Sequence, residues 1–360
     1  MESKYEHQVD DWLWLPRAMG SFFLKMPSTN CEGGRVENVW IFTKSAIIGI
    51  VILIGGLMKI IDDLNEAKIA LFIMEMAGTV IITSLLPFVH FYNQWRQRRK
   101  IFEALQIIDD VHIQLGQNER THINNTRSYI AIGASALVLI LELFVLEGKS
   151  TVEYVAYYIV YYIGLFFELS VAIEFNILTK AILALRGRMI TKFQNVDSNH
   201  DALVPWCVKM ENRLLHANVL IYKAYELVTL LFIGHYFFVV FFLVYLLSDD
   251  WTDTSYSSPM LGRFCSLCYF FIVQGPPWLV AGPSEKHLTQ IDDLDNAINK
   301  IWSSCSFSTQ NLITMHYLRK RHLWAKQAYC YKMFPVSYAT LMSAMSTSIM
   351  YVVIIFQLGV

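Results

Sequence analysis

The sequence predicts an all-α membrane protein of seven transmembrane helices, and three observations carry that prediction. Its 360 residues have a mean hydropathy of +0.39, with 55% hydrophobic and 16% charged residues, which excludes the pair of soluble domains that length alone suggests. Apolar blocks of membrane-spanning length recur along the chain, separated by polar segments. The basic residues gather in alternate polar segments, as the two sides of a membrane require.

The first block runs from about Trp40 to Ile61, with Lys44 near its start and the polar link Lys59, Asp62 and Asp63 after it. The first twenty residues are charged and broken by Pro16, unlike a secretory leader, so this block is expected to serve as the targeting signal. The second, about Ile69 to Tyr92, contains Glu75 and Pro87, a proline that neighbouring helices can accommodate. The run Gln94 to Lys100 then opens a polar connector in which Ile101, Leu105, Ile108 and Val111 keep a helical period, so the helix is expected to continue past the membrane surface. A basic run beside an apolar helix reads as a cytoplasmic anchor, not a nucleic-acid patch.

The third block, about Ser128 to Leu146, contains Glu142. The fourth, about Val152 to Ile182, is longer than one crossing and must tilt or protrude. From Leu183 to Lys223 the chain is polar, with a turn expected over Val196 to Asp201. The fifth block, about Tyr225 to Leu247, is the most aromatic, and an acidic link from Ser248 to Pro259 follows. The sixth, about Leu261 to Gly282, carries Gly275-Pro276-Pro277 and Gly282-Pro283, so a kink or break is expected near its far end. Residues 284–334 are soluble in character, with Ile291, Leu294, Ile298 and Ile301 at amphipathic spacing. No soluble domain and no internal repeat is evident.

Orientation follows from charge. With the N-terminus inside, the inner segments hold such clusters as Arg96 to Lys100, Arg186 with Arg188, and Arg319 to Arg321, whereas Lys59, Lys68 and Lys149 stand outside. The C-terminus is then extracellular, the reverse of a rhodopsin-like G-protein-coupled receptor. The sequon Asn124-Asn125-Thr126 falls in the cytosol, where it receives no glycan.

The last block, Val336 to Val360, holds no charge and no proline. At 100° per residue, Thr340, Ser343, Thr347, Tyr351, Ile354 and Leu358 share one face, flanked by Ser346 and Gln357. Two readings fit this polar face: packing of small hydroxyl residues between helices, or a wall around water.

For a ligand, the outer halves of the helices hold the candidates. Tyr154, Tyr157, Tyr158, Tyr161 and Tyr162 repeat at helical spacing on one face, each offering a ring to stack and a hydroxyl to hydrogen-bond. An aromatic belt at the membrane interface is the alternative. Glu75 and Glu142 are carboxylates in apolar spans, which need a partner or a wet cavity. His90, Glu168 and His235 are single polar groups on membrane helices and read as interhelical hydrogen-bonding residues.

Catalysis, cofactors and metals find no support: there is no phosphate-binding glycine loop, no histidine pair at ligand spacing and no nucleophile motif. Cys265-x-x-Cys268 lies in an apolar block without a second ligand pair and reads as packed thiols. A transporter broken at Gly275-Pro276-Pro277 is a rival, though no matching interruption stands in another half of the chain.

The closing segment Met350-Tyr351-Val352-Val353-Ile354-Ile355-Phe356-Gln357-Leu358 resembles the terminal signature of insect gustatory receptors, Thr-Tyr, five apolar residues, Gln-Phe, with Met350 and Leu358 as departures. Lys332-Met333-Phe334-Pro335 and Ile182-Leu183-Ala184-Leu185-Arg186-Gly187-Arg188 echo that family upstream. The resemblance implies the insect chemoreceptor channel fold, shared with odorant receptors: a homotetramer, or a heterotetramer with related subunits, around one cation pore. It implies a tastant, such as a sugar or bitter compound, bound in the outer bundle of each subunit. Pore residues would be Thr347, Tyr351, Ile354, Gln357 and Leu358, and ligand residues Tyr154, Tyr158, Tyr161, Tyr162, Glu75 and Glu142. Residues 1–183 would form the first four helices of the ligand-binding bundle, 184–283 a cytosolic connector with helices five and six, 284–335 a cytosolic anchor, and 336–360 the pore helix.

Overall fold

The computed structural model describes residues 85–116, 126–145, 152–194, 200–248, 259–304, 329–330 and 334–358, with isolated helical positions between 43 and 81. The first two apolar blocks therefore fall largely outside the described residues. Six helices are described: α1 (Leu86–Leu115), α2 (Thr126–Val145), α3 (Val152–Gln194), α4 (His200–Ser248), α5 (Pro259–Ser304) and α6 (Tyr338–Leu358). The β structure among the described residues is one antiparallel pair, Tyr329–Cys330 with Phe334–Pro335, just before α6.

Helix α1 begins with Pro87 in its first turn, where a missing N–H costs nothing, and ends at Gly116, whose φ of 102° suits only glycine without strain. Ile101, Leu105, Ile108 and Val111 are all buried, so the expected period is the packed stripe of a helix that continues beyond the apolar block. Helices α3 and α4 run 43 and 49 residues, and α5 runs 46. At 1.5 Å per residue each is roughly 65 Å or longer, about twice the 30 Å of a bilayer core. Tyr162–Lys192 and Val204–Phe241 contain stretches long and apolar enough to cross a membrane, and Tyr129–Ile140 and Tyr338–Ile354 are shorter apolar helices. α3 ends at Gln194 and α4 begins at His200, so most of the turn expected over Val196 to Asp201 lies outside the described residues, and His200 and Asp201 are already helical.

The sixth block is not broken. α5 runs without interruption through Pro276, Pro277 and Pro283 and into the segment read as a separate soluble stretch. The prolines remove the donors for the carbonyls of Ile272, Val273 and Leu279, and packing on both sides, against α3 and α4, holds the helix together. Ile291 and Leu294 are buried as the amphipathic spacing required.

The largest core cluster among the described residues centres on α3, with Phe167, Phe175, Ile182, Leu185 and Met189 buried between α1, α4 and α5, and two smaller clusters form around Tyr162 and around Leu341. Residues Phe88, Tyr129, Ile130, Leu137 and Ile140 project from α1 and α2 as exposed apolar surface.

Candidate pore face and the contacts that set it

Helix α6 is started by its own sequence. The Ser337 hydroxyl accepts the Thr340 N–H at 3.2 Å, an N-cap, and the Thr340 hydroxyl donates to the Pro335 carbonyl at 2.6 Å. Across the helix boundary, the Tyr338 N–H donates to Glu285 of α5 at 3.2 Å, and the Trp278 and Tyr338 rings pack with centroids 4.8 Å apart. The first turn of α6 is thereby tied to α5.

One side of α6 packs inward. Leu341, Ser348 and Val352 are buried, and Leu341 joins Tyr236 and Val240 of α4 and Ala281 of α5. The Ser348 hydroxyl reaches the backbone carbonyl of Phe237 on α4 at 3.3 Å and that of Ala344 at 3.0 Å. The opposite side is uncovered: Ser343, Ser346, Tyr351, Ile354 and Gln357 are exposed, and Thr347 is half-exposed with its hydroxyl bonded to the Ser343 carbonyl at 2.8 Å. The polar face read from the sequence therefore points away from the rest of its own chain, except Thr340, which is tied back at the cap. The side chain of Leu358 lies outside the described residues.

The ligand candidates are less completely placed. Tyr154, Tyr157, Tyr158 and Tyr161 lie on α3 and Glu142 on α2, but their side chains, and Glu75 altogether, lie outside the described residues. Tyr162 is 1% exposed and packs with Leu165, Val239, Leu243 and Val273, with Leu139 and Phe270 beside them. Its ring is thus inside the bundle, at the meeting of α3, α4 and α5.

Three polar groups that the sequence left single are paired. His235 Nδ1 lies 2.8 Å from Glu168, and His90 Nε2 lies 3.7 Å from Glu174, which also accepts the Tyr225 hydroxyl. All are buried, so each carboxylate has an imidazole beside it among apolar helices, although the His235–Glu168 contact is one of distance without hydrogen-bond alignment.

A larger network was missed. Arg186, counted from sequence as an inner surface charge, is fully buried, its Nε 3.0 and 3.1 Å from the two carboxylate oxygens of Glu211 and its Nη1 2.7 Å from Nδ1 of His287. One guanidinium thus joins α3, α4 and α5. The signal was present: Arg186 stands four residues from both Ile182 and Ile190, on the apolar face of its helix. On either side of His287 along α5, Ser284 meets the Tyr222 hydroxyl at 2.6 Å and Gln290 donates to the Leu183 carbonyl at 3.0 Å.

Outside the apolar spans, His112 on α1 is buried, and burial followed by the charge of Arg188 lowers its pKa from the ordinary 6.5. Among the described residues no group of His, Cys, Asp and Glu is placed to hold a metal.

No family model and no curated protein matches the sequence. Solved structures do. The insect olfactory receptor OR5 from Machilis hrabei matches with a TM-score of 0.71 over 98% of this chain and 98% of that chain, at 12% identity. The chain has the insect chemoreceptor fold. The same receptor in complex with eugenol matches at a TM-score of 0.64, covering 98% of this chain and 99% of that chain at 14% identity. What this chain shares with the insect chemoreceptor fold is therefore the order, length and packing of helices, since few side chains are held in common.

Proposed function

We propose that this chain is a subunit of a chemosensory ligand-gated cation channel in which four copies, or copies of related subunits, surround a pore lined by α6. The observation that carries the proposal is the uncovered polar face of α6, Ser343, Thr347, Tyr351 and Gln357, on a chain whose whole length takes the insect chemoreceptor fold. A helix packed on one side and bearing hydroxyls and an amide on the other suits a water-filled path, with Ile354 and Leu358 supplying an apolar constriction and Gln357 an amide that replaces part of an ion's hydration shell.

In this reading the N-terminus is cytoplasmic in the plasma membrane, by the distribution of basic residues. Residues 1–183 hold the ligand in the outer half of the bundle, with Tyr154, Tyr158, Tyr161, Tyr162, Glu75 and Glu142 around it. The cytosolic extensions of α4 and α5, with residues up to 335, form the anchor between subunits.

We assign a taste ligand, a sugar or bitter compound, from the Tyr351 and Gln357 signature. A volatile odorant is the second reading, favoured by the likeness to an olfactory receptor solved with eugenol. Whole-cell recording from cells expressing this chain alone, against sugars, bitter compounds and phenolic odorants, tests both. A cation current evoked by a member of one class assigns that class. Surface-expressed protein silent to all three, with or without a related subunit, contradicts the channel reading.

A further inference from the structure

A cleft of about 920 Å³ lies between the start of α2, the middle of α3 and α5, and the first residue of α6. Small residues in its wall, Ala131, Ala184, Gly187 and Gly282, leave space that larger side chains would fill. A Cβ at Gly282 would stand 2.7 Å from the Tyr338 hydroxyl, so any larger residue there would displace that ring.

The chemistry of its wall has one sign. Lys180 of α3 and Lys286 of α5 line it from two sides, and none of the described lining residues is acidic. Thr126, the first described residue of α2, also lines the space, whereas the start of α6 beside it is already capped, the Tyr338 N–H by Glu285 and the Thr340 N–H by the Ser337 hydroxyl. A helix N-terminus carries positive partial charge and favours anions, and that of α2 adds to the lysine ammonium groups. Glu285, the nearest carboxylate in sequence, is turned to the Tyr338 N–H. Immediately beyond Thr126 the surface changes character, for Tyr129 and Ile130 are 50% and 63% exposed and Leu137 and Ile140 continue the apolar surface up α2.

We propose that the cleft between α2, α3, α5 and α6 binds a phosphate-bearing headgroup through Lys180, Lys286 and the N-terminus of α2. The headgroup belongs to an anionic lipid whose chains lie along Tyr129, Ile130 and Leu137. A soluble phosphorylated compound is the other source of the same chemistry. The site touches the α6 cap through Tyr338, so occupancy steadies the start of that helix. The proposal rests on the chain spanning a membrane, and its test reads binding, not current, so its failure leaves the channel reading untouched.

The full-length protein is purified in nanodiscs of phosphatidylcholine with a minor fraction of phosphatidylinositol phosphate, and retained lipid is measured by native mass spectrometry. The parent is expected to retain the anionic lipid in preference to phosphatidylcholine. Lys180→Gln with Lys286→Gln is expected to reduce that preference roughly tenfold or more, as loss of two charges at an anionic headgroup predicts. Thr126→Asp, a substitution that suits a helix N-terminus, is expected to act in the same direction and serves if the double variant does not assemble. Inositol trisphosphate added without anionic lipid distinguishes the sources: a rise in melting temperature that these substitutions abolish identifies the soluble anion as sufficient. Equal lipid retention by the parent and both variants, with no effect of inositol trisphosphate, overturns the proposal.

Discussion

Arg186 Nη1 stands 2.7 Å from Nδ1 of His287, and because a guanidinium only donates, that ring nitrogen carries no proton. His287 is therefore neutral and bears its proton on Nε2, which faces Asn218 at 3.3 Å. The amide orientation that matches it turns Oδ1 of Asn218 to the ring, which also gives that buried oxygen a donor. The buried guanidinium then meets Glu211 on one side, through hydrogen bonds from Nε and an ion-pair contact of 3.0 Å at Nη2, and an uncharged acceptor at Nη1.

This arrangement orders three substitutions. His287→Asn keeps an acceptor near the Nδ1 position and is expected to be the mildest. His287→Phe leaves Nη1 buried without an acceptor, at a cost of about 1–3 kcal/mol. Glu211→Ala strands the charge itself, at about 3–5 kcal/mol. Melting of detergent-purified protein, followed by size-exclusion chromatography, gives the order directly. Equal melting temperatures for all three would show that Arg186 reaches water.

Much of the fold was legible because its rules are local. The period of Ile101, Leu105, Ile108 and Val111 marked a packed helix continuing past the apolar block, and the polar stretch after Leu183 marked the end of one long helix and the start of the next. The unbroken course of α5 was not legible, since whether Pro276, Pro277 and Pro283 end a helix depends on the neighbours that pack around it. The polar face of α6 was readable at 100° per residue, but Ser348 was not: its buried hydroxyl is explained only by the Phe237 carbonyl on another helix. Arg186 counted as a basic residue for orientation, and only the fold reveals that Glu211 and His287 enclose it.

His112 predicts a dependence on pH. Its pKa is lowered in the native state, so the unfolded chain binds more protons and stability rises with pH. The contribution is present above the unfolded value of 6.5 and is lost as pH falls below it, by up to about 1.4 kcal/mol per unit. Melting temperatures from pH 8 to pH 5 should therefore fall less steeply in His112→Asn than in the parent. Parallel curves would remove His112 from the acid sensitivity.

Tyr162 separates pocket from packing. Its ring is enclosed by Leu165, Val239, Leu243 and Val273, so Tyr162→Phe preserves the packing and removes only the hydroxyl. If the pocket reaches this depth, Tyr162→Ala raises the effective ligand concentration about fivefold, the equivalent of ~1 kcal/mol of lost ring contact, with surface expression retained. An unchanged dose response in Tyr162→Ala places the ligand elsewhere.

The pore face of α6 is tested most directly by single cysteines at Thr347, Tyr351 and Ile354, compared with Ser348 and Val352 on the packed side, exposed to a charged thiol reagent from outside during whole-cell recording. Ser348 and Val352 are 0% and 1% exposed, so cysteines there should be inert, whereas reaction at the other three should reduce the ligand-evoked current. Inert cysteines along Thr347, Tyr351 and Ile354 in a conducting, surface-expressed protein would contradict a pore lined by α6.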